Sequence, residues 1–403
     1  MLTYEQARQK VIDQVSKKRG PRGRVGMSVW DGLGYVLAQD VISDRAYPPF
    51  DRSTRDGYAV RAAEAKSGAN LRNTGEIKAG DTVTQSLTPA TCIQIMTGAA
   101  VPQGADAVVM IEHTRAEGET ILFERDAQPG QNIVPQGSEG GSGQVILSSG
   151  TRLGYAELAL AGQVGATQLQ CARKPRVAIL STGDEVVSVE KAPGPFQIRN
   201  SNSVSLAAQV RLSGGEPVLL GNAADRAEDL REKIQQGLKE DILVLSGGVS
   251  MGKYDLVETI LRELGAEFCF DAVAIRPGKP AVFGRCGETI VFGLPGNPVS
   301  TMVTFELFVA PAMDLLSGAE ARPLPLLEAR LGAALHEKPG LTHFLPARVE
   351  WHATTAEVRP LKWQGSGDIA ALAKANCFLV VPADRAEVQI GELVSVLLRK
   401  DVI

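Results

Sequence analysis

The chain has little of what marks several common functional classes. Its five cysteines, Cys92, Cys171, Cys269, Cys286 and Cys377, are scattered with no CxxC pair. That argues against a cysteine zinc site or a disulfide frame and suits reduced, mostly buried thiols in a cytoplasmic protein. Four histidines, His113, His336, His343 and His352, form no HExxH arrangement. Positive charge is not in excess: 42 Lys and Arg stand against 46 Asp and Glu, a net charge of −4. A nucleic-acid partner held by broad electrostatic attraction is therefore not expected, and any anionic ligand must rely on local donors. No apolar run is expected to reach a membrane span, and the opening "MLTYEQARQKVIDQV" lacks a signal-peptide profile. No membrane partner is expected, and no internal repeat or low-complexity tract stands out.

What is present is enough chain for several cores: 403 residues predict two to four domains. Thr3 followed by Gln6 reads as a capping box that opens an amphipathic helix over residues 3–17. Residues 1–45 and 141–172 are expected to form a discontinuous, elongated N-terminal domain. Between them, 46–140 carries short apolar runs and turn chemistry, as a small β domain would. The tract "QPGQNIVPQGSEGGSGQVILSSG" is rich in turn residues and carries the chain back out. From 173 to 320 strand-like and helix-like segments alternate: "RVAIL", "NSNSVSLAAQVRLSGG", "EPVLLG", "DRAEDLREKIQQGLKE", "DILVLSGG", "YDLVETILRELG", "TIVFGLPGNP" and "VSTMVTFELFVAPAMDLL". The fold class expected is multidomain α/β plus β, with a central three-layer α/β/α domain on a mostly parallel sheet. Residues 321–403 are expected to form a second small, barrel-like β domain.

Glycine-rich turns follow three of the strands: Ser181-Thr182-Gly183-Asp184-Glu185, Ser246-Gly247-Gly248-Val249-Ser250, and Gly293-Leu294-Pro295-Gly296-Asn297-Pro298. In an open α/β sheet such loops line the ligand crevice, and their free N–H groups bind anions. The plainer reading is that glycine merely permits tight turns. In "IRPGKPAVFG" the cations Arg276 and Lys279 flank a rigid turn containing Gly278, suiting an oxyanion or phosphate unless they are ordinary solvated charges. Asp184, Glu185, Asp225 and Asp255 recur near the same loops, where carboxylates could ligate Mg²⁺ beside a polyphosphate. Asp225 and Asp255 could also cap the helices that follow them. Gly248-Val249-Ser250-Met251-Gly252 fits the G-x-S-x-G elbow of hydrolases, but no histidine lies in the α/β region, so Ser250 reads better as a hydrogen-bond donor than as a nucleophile. In the first β region, "YPPFDRSTRDGYAV" packs Asp51, Arg52, Ser53, Arg55 and Asp56 into one turn, and Thr97-Gly98 marks another.

The stretches "PPFDRSTRDGYAV", "MTGAAVPQGADAVVM", "STGDE", "SGGVSMGKYD", "RPGKPAVFG", "GLPGNPVS" and "GSGDIAAL" together resemble the molybdopterin molybdenumtransferases of the MoeA type, which include the E domain of gephyrin. The resemblance implies a homodimer of four-domain subunits, with the α/β domain of one facing parts of the other. It implies insertion of molybdenum from molybdate into adenylylated molybdopterin, with loss of AMP and a requirement for a divalent cation such as Mg²⁺. The molybdopterin adenylyltransferase and recipient molybdoenzymes would be further partners. Matched by motif, Asp56 and Thr97 would be active-cleft residues of the β region. Glu185, Asp225 and Asp255 would be catalytic and metal-binding acids. Arg276 and Lys279 would be oxyanion partners. Rival readings are adenylylation of molybdopterin on the same α/β fold and a non-catalytic, gephyrin-like scaffold. Departures from the family pattern include Arg55, Ser138-Glu139, Arg276 for a frequent lysine, and the stretch around Phe344.

Overall fold

The computed structural model describes residues 1–17, 23–248, 256–353 and 355–402. The strand Arg176–Thr182 pairs in parallel with Glu216–Ala223 on one side and with Ile242–Ser246 on the other. Thr289–Leu294 continues the parallel set, and Val282–Cys286 and Ala266–Phe270 add an antiparallel edge. The mostly parallel sheet expected is thus joined by an antiparallel edge, making it mixed. The cause is local: Cys286 pairs with Thr289 across a two-residue turn at Gly287-Glu288, with Gly287 at φ +57°. A turn that short can join only antiparallel neighbours.

Side chains of a strand alternate between faces. Val177 and Ile179 join one cluster with Leu206 and Val210 of the helix Ser201–Leu212. Ala178 and Leu180 join another with Leu230 and Ile234 of Ala227–Gly237 and Ile260 of Leu256–Glu263. Helices therefore cover both faces of the sheet, which is what lets the strands be apolar at every position.

The first helix, Tyr4–Ser16, carries the expected capping box: Gln6 N–H donates to Thr3 Oγ1 at 3.3 Å, and Thr3 N–H to Gln6 Oε1 at 3.0 Å. Its stripe Ala7, Val11 and Val15 is buried in the cluster built on the α/β sheet. The helix thus packs with the α/β region, not with the rest of residues 1–45. The apolar segment 298–316 is helical in three pieces, Pro298–Thr304, a π turn Phe305–Val309, and Ala310–Leu316. Pro311 lacks an N–H and its ring excludes the carbonyl four residues earlier, which accounts for the looser turn there. Contrary to expectation, this segment is long and apolar enough to cross a membrane, yet an 18-residue window of it is 89% buried inside the protein.

The β-rich region orders its strands Ala107–Met110, Gly57–Val60, Thr91–Ile95, Asn70–Ile77, Thr120–Phe123 and Thr114–Glu117, with buried clusters on both faces. The chain on either side of it comes back together, Val41–Ile42 pairing with Val145–Leu147 and Arg24–Ser28 with Gln168–Ala172. In the C-terminal region Thr342–His352 pairs with both Thr355–Pro360 and Cys377–Val381, closing a ring through Leu326–Leu331 and Leu393–Leu398. All five cysteines are free thiols.

One buried carboxylate ties the regions together. Asp314, near the end of the long helix, accepts from Arg152 Nη2 at 2.8 Å and from Arg322 Nη2 at 2.7 Å. It also accepts from the backbone N–H of Arg322 at 3.0 Å. Arg8 of the first helix donates to the carbonyl of Arg322. Removing the carboxylate would leave the two guanidinium groups without their shared partner. Asp314→Ala is expected to cost about 3 kcal/mol, the low end for a broken buried pair because Arg322 is 37% exposed. Urea unfolding should show a lowered midpoint, with a smaller drop for Asp314→Asn, which keeps an acceptor.

Candidate functional site

From Arg176–Thr182 the chain crosses to Glu216–Ala223 on one side, then returns past it to Ile242–Ser246 on the other. Loops leave the carboxyl ends of these strands in opposite directions and open a crevice between them. A cavity of about 700 Å³ lies there, within the roughly 300–1,000 Å³ of small-molecule sites. Ser181, Thr182 and Gly183 line it from the first strand, Ser246, Gly247 and Gly248 from the second, and Pro295, Gly296 and Asn297 from the third. Glu185 and Asp225 complete the predicted set that the fold brings together.

The loops approach one another at backbone distance. Gly247 and Gly248 sit at φ +90° and +62°, and a Cβ on Gly248 would fall 2.6 Å from Thr182 Oγ1. Only glycine satisfies both conditions. Asn202 stitches the second and third loops, its Nδ2 donating to Ser246 Oγ at 2.8 Å and to the carbonyl of Gly296 at 2.7 Å. Its Oδ1, like Thr182 Oγ1, is buried without a hydrogen-bond partner. Buried polar atoms are rarely left so. Both belong to the cavity wall, so a ligand or water there would satisfy them.

The acids have distinct surroundings. Asp184 is exposed and accepts the backbone N–H of Asp225 at 3.1 Å; it does not line the cavity. The Asp225 carboxyl is pushed above its ordinary value of 3.8, first by burial and then by the charges of Asp184 and Glu185. Asp225 is not the helix cap: Arg226 holds that position without a side-chain bond, and Asp229 accepts the N–H of Ala224 at 2.7 Å. The residue is thus left to the cavity. Glu185 and Asp225 offer hard oxygen donors of the kind Mg²⁺ prefers, although no group of three or more His, Cys, Asp or Glu is gathered for a metal among the described residues. Asp255, the third acid predicted, and Ser250 lie outside the described residues. No histidine is among the described residues lining the cavity.

Other predicted residues are elsewhere. Ile275–Arg276 pairs in parallel with Thr342–His343 of the C-terminal sheet. This directs Arg276 to Glu337, at 3.8 Å, the same carboxylate that lies 2.9 Å from His343 Nδ1. Gly278 is pressed against Thr304, where a Cβ would come within 2.7 Å of Cγ2. Lys279 is exposed, and Pro280 alone of this segment reaches the wall. Asp56 and Thr97 meet each other, the Thr97 N–H and hydroxyl donating to Asp56 Oδ1 at 2.6 and 2.7 Å. These bonds hold the Asp56 carboxyl below its ordinary value. The pair is exposed on the β-rich region and does not line the cavity.

The fold adds residues that sequence reasoning missed: Arg199, Asn200, Ser201 and Asn202, and Gly367 from the C-terminal region. "NSNSVS" was legible only as a helix start. The usable signal was that a helix opening after a strand of an α/β domain presents N–H groups to the crevice. Gly367 belongs to the rim because Asn297 Nδ2 donates to Ser366 Oγ at 2.9 Å and Val299 N–H to the carbonyl of Ser366 at 3.0 Å.

A mixed α/β sheet with this cavity at its switch point, set between β-rich flanks, defines a multidomain α/β protein with a small-molecule site. The MoeA N-terminal region (domain I and II) matches residues 2–165, a probable molybdopterin binding domain matches 178–314, and the MoeA C-terminal region (domain IV) matches 328–398. The molybdopterin molybdenumtransferase of Bacillus subtilis is 34% identical over 92% of this chain and 89% of its own. That of Haemophilus influenzae is 34% identical over 98% of both. Gephyrin of Dictyostelium discoideum is 32% identical over 92% of this chain and 59% of its own length. A crystal structure of a molybdopterin biosynthesis MoeA protein from Pyrococcus horikoshii superposes with a TM-score of 0.74 at 32% identity, covering 97% of this chain and 98% of that one. The chain belongs to the MoeA family of molybdopterin molybdenumtransferases.

The raised pKa of Asp225 has a thermodynamic consequence. The folded chain holds this proton more tightly than the unfolded chain, so ionisation of Asp225 costs stability above the carboxylate range and nothing below it. In divalent-cation-free buffer, Asp225→Asn is expected to raise the melting temperature at pH 7. The gain should fade as pH falls through the ordinary carboxylate range, as thermal unfolding at several pH values will read.

Proposed function

We propose that molybdenum passes from molybdate into adenylylated molybdopterin in this cavity, with AMP released. The enzyme class, a molybdopterin molybdenumtransferase of molybdenum cofactor biosynthesis, follows from family membership; the division of labour among residues is our reading. The observation that carries it is the convergence of three glycine-bearing loops and two carboxylates on one cavity at the sheet's switch point. The backbone of Gly247 and Gly248 and the opening turn of the helix Ser201–Leu212 receive phosphate oxygens. Thr182 and Asn202 satisfy their buried oxygens on the bound substrate. Glu185, Asp225 and Asp255 would hold Mg²⁺, which when bound shields the pyrophosphate charge. Lys279, exposed beside Pro280, draws molybdate toward the rim, whereas Arg276 is engaged with Glu337.

We further propose a homodimer in which the exposed Asp56–Thr97 pair of one subunit serves the cavity of the other. Its shape is fixed by two charge-assisted hydrogen bonds, but it stands apart from the cavity wall of its own chain. Trp30, Leu33 and Tyr155, exposed at 90%, 66% and 88% on the linked elements around Val29–Asp31 and Tyr155–Gln163, supply apolar surface for self-association. The adenylyltransferase and recipient molybdoenzymes are the partners that the substrate and product require. The five free thiols suit the cytoplasm.

The test is AMP release from adenylylated molybdopterin with Mg²⁺, with and without molybdate. Molybdate-stimulated release is expected, and Asp255→Ala should abolish it without altering the fold. ATP-dependent adenylylation in its place would establish the sister activity instead. For the dimer, Asp56→Ala and Asp225→Ala subunits should each be inactive alone, and mixing them should restore release through one intact site per hybrid. Failure of hybrids to recover would return both residues to one subunit's site.

A further inference from the structure

Arg199 is the only Lys or Arg among the described residues lining the cavity, where it shares the wall with Glu185 and Asp225. Like Arg276 it is exposed, but unlike Arg276, which lies 3.8 Å from Glu337, it forms no ion pair with a described residue. Its backbone is held from both sides. Val187 pairs with Arg199 in a short parallel ladder, and Ile198 N–H donates to the carbonyl of Glu185 at 2.8 Å. Asn200 N–H donates to the carbonyl of Val187 at 2.8 Å, while the Asn200 side chain accepts Ser203 N–H at 3.0 Å. A guanidinium displayed from so fixed a lip loses less freedom on binding than one on a loose loop.

A second, independent observation lies deeper in the same cavity. Thr182 is 4% exposed, and its hydroxyl has no hydrogen-bond partner. Leaving a buried hydroxyl unpaired costs stability that a ligand acceptor would recover. An unpaired cation at the lip and an unpaired hydroxyl within, beside glycine-lined backbone, call for one acceptor-rich anion.

We propose that Arg199 and Thr182 form the oxyanion subsite of this cavity, gripping a tetrahedral oxyanion that is either a phosphate of the pterin substrate or molybdate itself. The identity of that anion rests on the function proposed above; its charge and geometry do not. The planar guanidinium fork suits two oxygens of one tetrahedron, so lysine should replace it only in part.

The experiment is calorimetric titration of sodium molybdate, and separately of AMP, into the intact protein and its Arg199→Ala, Arg199→Lys and Thr182→Val variants, with melting temperatures recorded alongside. Arg199→Ala is expected to weaken binding about tenfold or more, with Arg199→Lys recovering part of the loss. Thr182→Val should weaken binding yet raise the melting temperature, because it deletes a buried unpaired hydroxyl; a purely structural role would lower both. Loss confined to molybdate assigns the subsite to the metal oxyanion, loss confined to AMP assigns it to phosphate, and loss of both makes it common to the two. Affinities within twofold of wild type in Arg199→Ala, or uptake of neither anion by the wild type, overturn the proposal. A wild type that binds through Arg199 but releases no AMP would sink the insertase reading and leave this subsite standing.

Discussion

Asp314 is the constraint on which much of this architecture depends. It sits near the inner end of the helical segment Pro298–Leu316, whose outer end, at Asn297 and Pro298, borders the cavity. Its carboxylate takes Arg152 from the linker region and Arg322 from the chain leading to the C-terminal barrel, and Arg8 reaches the same knot from the first helix. The helix is apolar along nearly its whole length and is packed into the core, so its axis is set by packing. Packing alone does not decide how the flanking regions are joined to it. Two guanidinium groups on one buried carboxylate tie both regions to it.

The cavity at the other end of that helix is built against stability. Thr182 Oγ1 and Asn202 Oδ1 are buried and unpaired, and the Asp225 carboxyl is pushed up by burial and by the charges of Asp184 and Glu185. A ligand that brings acceptors, donors and positive charge would satisfy all of them together. Sites of this kind are where local rules of stability are expected to fail. The surrounding sheet carries that cost with strands such as Ile242–Ser246 and Thr289–Leu294, buried at every position.

The flanking regions take part unequally. The C-terminal region touches the cavity through Gly367, held by the bonds of Ser366 to Asn297 and Val299. It also captures Arg276 by extending its sheet through Ile275–Arg276, so a cation beside the site in sequence is turned away from it in space. Among the described residues the β-rich region contributes nothing to the wall in its own chain, although its Asp56–Thr97 pair is held by two hydrogen bonds.

By itself the sequence determined the strand–helix alternation of residues 176–316, the capping box at Thr3, and the loops at 181–185, 246–248 and 295–297. Those signals are local: hydrophobic period, capping chemistry and glycine are each written within a few residues. Tertiary structure alone decided the docking of the first helix on the α/β core and the presence of Arg199 rather than Arg276 on the cavity wall. Each depends on which segments meet across tens or hundreds of residues. Arg199 and Arg276 are equal as charges on paper; one lines the cavity, and the other lies 3.8 Å from Glu337, where the C-terminal sheet takes residues 275 and 276 as an extra strand.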